Sequence, residues 1–174
     1  DPRVITKKKL KNNNLNSLAQ KKIKTVLQKR ISGKLKHFDF KFAYANKKRI
    51  IKNNLIKSNF DLKKFEKIIL LASHALSDAN HFYQEFGSYS PFKDYYTQLT
   101  ETLKFAENNR QILFLVRPHP SSSFWNEEGL IKKILNSYSK YNIFLADNKY
   151  ATSDLLQISD TVITVCGTIG LEAA

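Results

Sequence analysis

The sequence predicts an α/β fold: a parallel sheet with helices on both faces over residues 66–174, preceded by a basic, mainly helical segment over residues 1–65. Three observations carry this reading. Four short, continuous apolar runs, KIILLA (67–72), QILFLV (111–116), YNIFLA (141–146) and TVITV (161–165), suit strands buried on both faces. Stretches with helical periodicity separate them, and alternation of strand with helix implies parallel strands joined by crossovers. The charge is divided unevenly. Residues 1–65 hold 20 Lys and Arg against 3 Asp and Glu, residues 66–174 hold 9 against 12, and the net +14 is therefore +17 in the first part and −3 in the second.

Taken in chain order, LNSLAQKKIKTVLQKRISG reads as a helix, because Leu18, Ile23, Val26, Leu27 and Ile31 recur near helical spacing and Gly33 is a natural stop. HFDFKFAYA (37–45) alternates like a short strand or an extended connector, KKRIIKNNLIK is again helix-like, and SNFD is a turn. After the first apolar run, PFKDYYTQLTETLKFAENN opens with a proline suited to a first helical turn and sets Tyr96, Leu99, Leu103 and Ala106 on one face. NEEGLIKKILNSYSKY carries acids at its start and lysines later, complementing a helix dipole. TSDLLQIS is a short helix with Thr152 or Ser153 as its cap.

The bulk properties narrow the classes. A chain of 174 residues has room for one large domain, or one domain with an appendage, and 42% hydrophobic residues can build a core. A single cysteine excludes a disulfide framework and fits a reducing compartment. No run of about 18 apolar residues is present, so no membrane-spanning helix is expected. No secretory signal opens the chain, and its start without Met is expected of a fragment. The basic half reads as a solvated lysine-rich surface or as a face turned to something anionic. Its basic residues are interleaved with few aromatics, which disfavours nucleic acid and favours an anionic membrane surface.

In a sheet of this kind ligands bind outside the carboxyl ends of the strands, which selects four segments. In RPHPSSS, Pro118 and Pro120 fix their own φ and push Arg117 and His119 toward extended shapes. A stiffly held His119 beside Arg117 and Ser121 suits a phosphate oxygen, and the imidazole can act as a general acid toward a leaving phosphate. The alternative is a proline-bounded structural turn. In VCGTIGLEAA, Gly167 and Gly170 allow close backbone approach, Thr168 can cap a helix and touch a phosphate, and Glu172 can accept from ribose hydroxyls. The plain alternative is a glycine turn with a first-turn acid. In ASHALSDANHF, His74, Asp78 and His81 would share a helical face, with His74 or Asp78 contacting substrate; the spacing matches no zinc signature, and no metal is expected. DNKYATSD is the fourth segment. Phe124 to Asn126 is expected to pack the loop after RPHP, and Cys166 to act as a small buried hydrophobe.

Together, LLASHALSDANHF, SYSPFKDYYTQLTETL, FLVRPHPSS and TSDLLQISDTVITVCGTIGLEAA resemble the carboxyl-terminal half of bacterial capsule and surface-polysaccharide glycosyltransferases of the GT-B type. The likeness extends more loosely to teichoic-acid polymerases and to sialyl- and polysialyltransferases, which share an HP motif. It covers roughly residues 66–174. The resemblance implies a Rossmann-like nucleotide-sugar-binding domain, with His119 at the donor phosphate, Thr168 and nearby amides cradling phosphate, and Glu172 near the ribose. It implies transfer of a sugar, or a Kdo- or sialic-acid-like unit, to a polysaccharide or lipid-linked acceptor. The enzyme would be cytoplasmic or peripheral at the inner face of the membrane, with a nucleotide-sugar substrate and no cofactor. Its catalytic base would come from an amino-terminal domain, of which residues 1–65 would be a remnant, and the sheet domain would continue past Ala174. Two other readings are kept. One is a nucleotide-sugar epimerase of the same architecture, using Asp78, Asp147 or Glu172. The other is a nucleic-acid-binding module through the basic half.

Overall fold

The computed structural model describes residues 17–31, 61–78, 92–147, 150–165 and 169–173. Helix α1 is Ser17–Ile31, within the stretch where periodicity predicts it, and its Ile23 and Val26 are exposed. After a 3-10 turn at Leu62–Lys64 come β1 (Lys67–Ala72), α2 (Tyr95–Asn108), β2 (Ile112–Arg117), a second 3-10 turn (Pro120–Ser123) and α3 (Glu128–Asn136). β3 (Ile143–Leu145), α4 (Thr152–Ile158), β4 (Thr161–Thr164) and α5 (Ile169–Ala173) follow. The predicted elements at 37–45 and 47–57, together with His81, Pro91 and Cys166, lie outside the described residues.

The four strands form one all-parallel sheet in the order β3-β2-β1-β4. The chain steps outward from β1 to β2 to β3, then returns to the far side of β1. Parallel crossovers are right-handed, so reversing the direction of travel carries the helix to the opposite face. The packing follows that rule. Leu99, Leu103 and Ala106 of α2 and Ile131, Ile134 and Leu135 of α3 bury against Leu71, Phe114, Val116 and Ile143. Leu155 of α4 packs on the other face with Leu70, Leu113, Leu115, Ala146 and Tyr150. Consecutive strand residues thus enter different cores, which explains the unbroken apolar runs. Each fully buried leucine here contributes roughly 1.5–3 kcal/mol over its exposed state.

Three details differ from the sequence reading. The inward face of α2 is Tyr95, Leu99, Leu103 and Ala106, while Tyr96 is exposed. Both tyrosines satisfy helical spacing, so periodicity alone could not choose between them. Asp94 decides where the helix begins: its carboxylate accepts from the Thr97 N–H at 2.6 Å. In α4 the cap position is Ala151, which makes no side-chain cap, and Thr152 is buried inside the helix. Phe124 and Trp125 do not pack the loop; both are exposed and meet each other edge to face, with centroids 6.1 Å apart.

Two polar clamps hold the edge of the sheet opposite the strand ends. Asn142, fully buried, donates through Nδ2 to the carbonyls of Ala106, Asn109 and Ile112 at 2.7, 3.2 and 3.0 Å, closing the turn from α2 into β2. Asp160 accepts from the Ile68 N–H at 2.8 Å and returns its own N–H to the Ile68 carbonyl at 2.8 Å.

Candidate functional site

The point where strand order reverses lies between β1 and β4, and the loops leaving the carboxyl ends there are the predicted place for a ligand. The register sets two histidines side by side at this edge. Ala72 of β1 pairs with Arg117 of β2, and His74 and His119 each lie two residues beyond that pair. Ser73 extends the ladder, its N–H donating to the Arg117 carbonyl at 2.9 Å and its hydroxyl to the same oxygen at 3.2 Å. The two imidazoles stack, with centroids 5.2 Å apart and planes 16° from parallel. Tyr95, the first residue of α2, covers the other side of His74 at 4.3 Å and 17°. His74 is thereby held between two rings, with 13% of its side chain exposed.

The prolines do what their chemistry dictates. His119 has φ −59 and ψ 142, the extended shape required before Pro120. It caps the 3-10 turn: the Ser121 N–H donates to Nδ1 at 3.2 Å, and the Ser121 hydroxyl meets the same nitrogen at 2.6 Å. A nitrogen that accepts an N–H carries no proton of its own, so in the neutral ring the proton resides on Nε2. His119 is thus a fixed N–H donor at the sheet edge. Ser121 orients the histidine, a role the sequence reading did not foresee for it.

His74 and Asp78 were expected on a helix. The chain instead turns after Ser73, with the Asp78 N–H donating to the Ala75 carbonyl. The turn still brings Asp78 Oδ2 to 3.4 Å from His74 Nδ1.

Glu127, buried just before α3, is the residue the sequence reading valued too little. Its carboxylate accepts from the Leu76 N–H at 3.0 Å, the Ser77 N–H at 2.6 Å and the Ser77 hydroxyl. It ties the loop after β2 to the loop after β1, and so fixes the spacing of the two histidines. Read locally it was only a first-turn acid; its partners stand about fifty positions away, beyond any local pattern. Arg117, expected beside the ligand, is buried on the α4 face, where its guanidinium donates to the carbonyls of Ala146 and Asp147. It holds the end of β3, because alternation along β2 points its side chain into that core.

Gly167 and Thr168 lie outside the described residues. Gly170 sits against β4, where an added Cβ would come 3.4 Å from Thr164 Cγ2. At that distance an added methyl would make an ordinary contact, so packing on β4 does not itself require a glycine. Glu172 is partly buried in α5. The chain matches no protein-family model, no curated protein and no solved structure. Among the described residues no group of His, Cys, Asp and Glu could hold a metal ion, and no helix is long and apolar enough to cross a membrane.

Proposed function

We propose that this chain is the donor-binding part of a GT-B-type glycosyltransferase that uses a nucleotide-activated sugar in capsule or surface-polysaccharide synthesis. The observation that carries the reading is His119, held at the carboxyl edge of a parallel sheet with its neutral-form proton on Nε2. Charge on the departing nucleotide phosphate is stabilised by that N–H and by main-chain amides of Gly167 and Thr168, while Glu172 accepts from the ribose hydroxyls. The acceptor is a polysaccharide or lipid-linked hydroxyl. The basic first part, with Ile23 and Val26 exposed among the lysines of α1, lies against an anionic membrane leaflet.

A thermal-shift screen with CMP, CDP, UDP and GDP tests the reading. A ligand at 100 times its Kd stabilises the folded state by about 2.7 kcal/mol. One nucleotide should raise the melting temperature well above the shift given by inorganic phosphate alone. No nucleotide-specific shift would overturn the proposal.

A further inference from the structure

We propose that Trp125 is a stacking platform for the apolar face of a pyranose ring, held out by the turn after β2 on the same loop as His119. Trp125 is the sole tryptophan of the chain and is 60% exposed. The backbone holds it in that exposed position. The Ser121 carbonyl accepts from the N–H of Phe124 at 2.8 Å and from that of Trp125 at 3.2 Å. The Asn126 N–H donates to the Ser123 carbonyl, and the Glu127 N–H to the Ser122 carbonyl at 2.8 Å. Ser122 is fully buried, and Glu127 is pinned to the loop after β1, so the turn is fastened on both sides of the two rings. Asn126 takes φ 56, and among the described residues no other non-glycine adopts this left-handed shape. Asparagine bears it better than most residues do. The reversal there lets the chain leave Trp125 outside and bury Glu127 two positions later. Phe124 meets the indole edge to face, with centroids 6.1 Å apart.

The occupant follows from where the turn stands, and this step rests on the glycosyltransferase reading. Ser121 ties the two groups together: its N–H meets His119 Nδ1, and its carbonyl holds the Trp125 amide. The backbone bearing the indole therefore keeps a set distance from the histidine proposed for the donor phosphate. The ribose is proposed at Glu172, in the helix after β4. In the order β3-β2-β1-β4, β2 and β4 stand two strand spacings apart, about 10 Å. The nucleoside then lies on the β4 side of the phosphate, and what the phosphate carries extends toward β2 and β3. A base lies beyond its ribose and away from Trp125, whereas a sugar lies toward it. Pyranose rings suit an indole. Their C–H groups, slightly positive, meet the negative face of the ring, and the indole N–H can donate to a hydroxyl. The sugar is that of the donor or that of the acceptor glycan; the recognising chemistry is the same. No bond forms or breaks at Trp125, which positions the sugar only.

As the sole tryptophan, Trp125 reports on this turn directly. The test is its fluorescence in the full chain, quenched by acrylamide, first with CMP, UDP and GDP. The nucleotide sugars CMP-N-acetylneuraminate, UDP-N-acetylglucosamine and GDP-mannose follow, and then oligosaccharides of sialic acid, N-acetylglucosamine and mannose without nucleotide. Shielding of the indole by a nucleotide sugar, but not by its nucleotide, supports the inference and assigns the platform to the donor sugar. Shielding by an oligosaccharide alone supports it and assigns the platform to the acceptor. An indole that no saccharide shields, or that a nucleotide shields as well as its sugar conjugate does, would overturn the inference. For the saccharide that binds, calorimetry should show affinity reduced roughly tenfold in Trp125→Ala and mostly recovered in Trp125→Phe, which keeps a ring face. Both variants should melt near the parent temperature, because the side chain is exposed. Parent-like affinity in Trp125→Ala would also overturn the platform. Melting curves with the nucleotides separate this result from the donor reading. A nucleotide that stabilises the chain while every saccharide leaves the indole open keeps the donor reading and removes the platform. An oligosaccharide that shields the indole of a chain no nucleotide stabilises keeps the platform and removes the donor reading.

Discussion

The two ends of the sheet handle polar side chains in different ways. At the amino end, Asn142 and Asp160 have main-chain partners, carbonyls and an N–H that neither gain nor lose a proton. At the carboxyl end, His74, Asp78, His119, Ser77 and Glu127 meet mostly side chain to side chain or at the amides of a turn. The first arrangement closes turns. The second gathers two imidazoles, two carboxylates and a hydroxyl. Within one small sheet, main-chain clamps lie at one end and clustered ionisable side chains at the other.

The comparison can be broken at either end. Asn142→Ala removes two N–H donors shared among three carbonyls, at about 1 kcal/mol each, so urea melts should show a loss of about 2 kcal/mol. Nucleotide affinity of the folded fraction should not change; a weakened site would show that the two ends are coupled. Glu127→Gln belongs to the other end. It replaces charged hydrogen bonds worth about 1.5–3 kcal/mol with weaker ones, so stability should fall by about 1–2 kcal/mol. The stacked ring resonances of His74 and His119 should also separate, because Glu127 sets the spacing of the two loops. Unchanged histidine spectra would leave Glu127 with a structural role only.

A smaller effect is expected at Asp94, which caps α2 just ahead of the Tyr95 ring. The Thr97 side chain, and then the Thr97 amide, hold its carboxyl below the ordinary aspartate value. A carboxyl lowered by folding stabilises the fold above its unfolded value, about 3.9, and that contribution is lost as pH falls through the lower folded value. Asp94→Ala should cost about 0.5–2 kcal/mol at neutral pH. The gap from the parent should narrow as the pH falls from about 4 downward, in denaturant melts at successive pH values. A gap independent of pH would mean that the carboxylate is not the cap. Gly170→Ala should change stability by less than about 1 kcal/mol, because the helix propensity gained is no larger and the 3.4 Å contact with Thr164 is an ordinary one. A larger loss would mean that α5 packs more tightly on β4 than its geometry indicates.

What could be read in advance follows the same division. Strand β1 falls on its predicted residues because six consecutive apolar-rich positions bounded by polar ones admit little else. The stiffness of His119 was legible from two prolines, a purely local signal. The rest of the carboxyl-end cluster was not, since it depends on register. Nothing near Ala72 or Arg117 announces that the two pair, yet that pairing is what stacks His74 on His119. Arg117 was misplaced for a related reason: the side a strand residue faces depends on which core lies beneath it. Asn142 gave no signal, because an asparagine in a surface turn and one locking three carbonyls look alike in sequence.

His119 is proposed above as the group that meets the donor phosphate. Once a nucleotide has been found that binds the parent chain, calorimetric titration of that nucleotide against His119→Ala, beside a melting curve for each protein, tests this most directly. A lost hydrogen bond to a charged group is worth about 1.5–3 kcal/mol, so affinity should fall roughly 10- to 150-fold. The melting temperature of the unliganded protein should stay near the parent's, because the half-buried His119 ring stacks on His74 and bonds Ser121 but belongs to neither hydrophobic core. Parent-like affinity in His119→Ala, or a variant that unfolds, would contradict the account and return RPHP to the status of a structural turn.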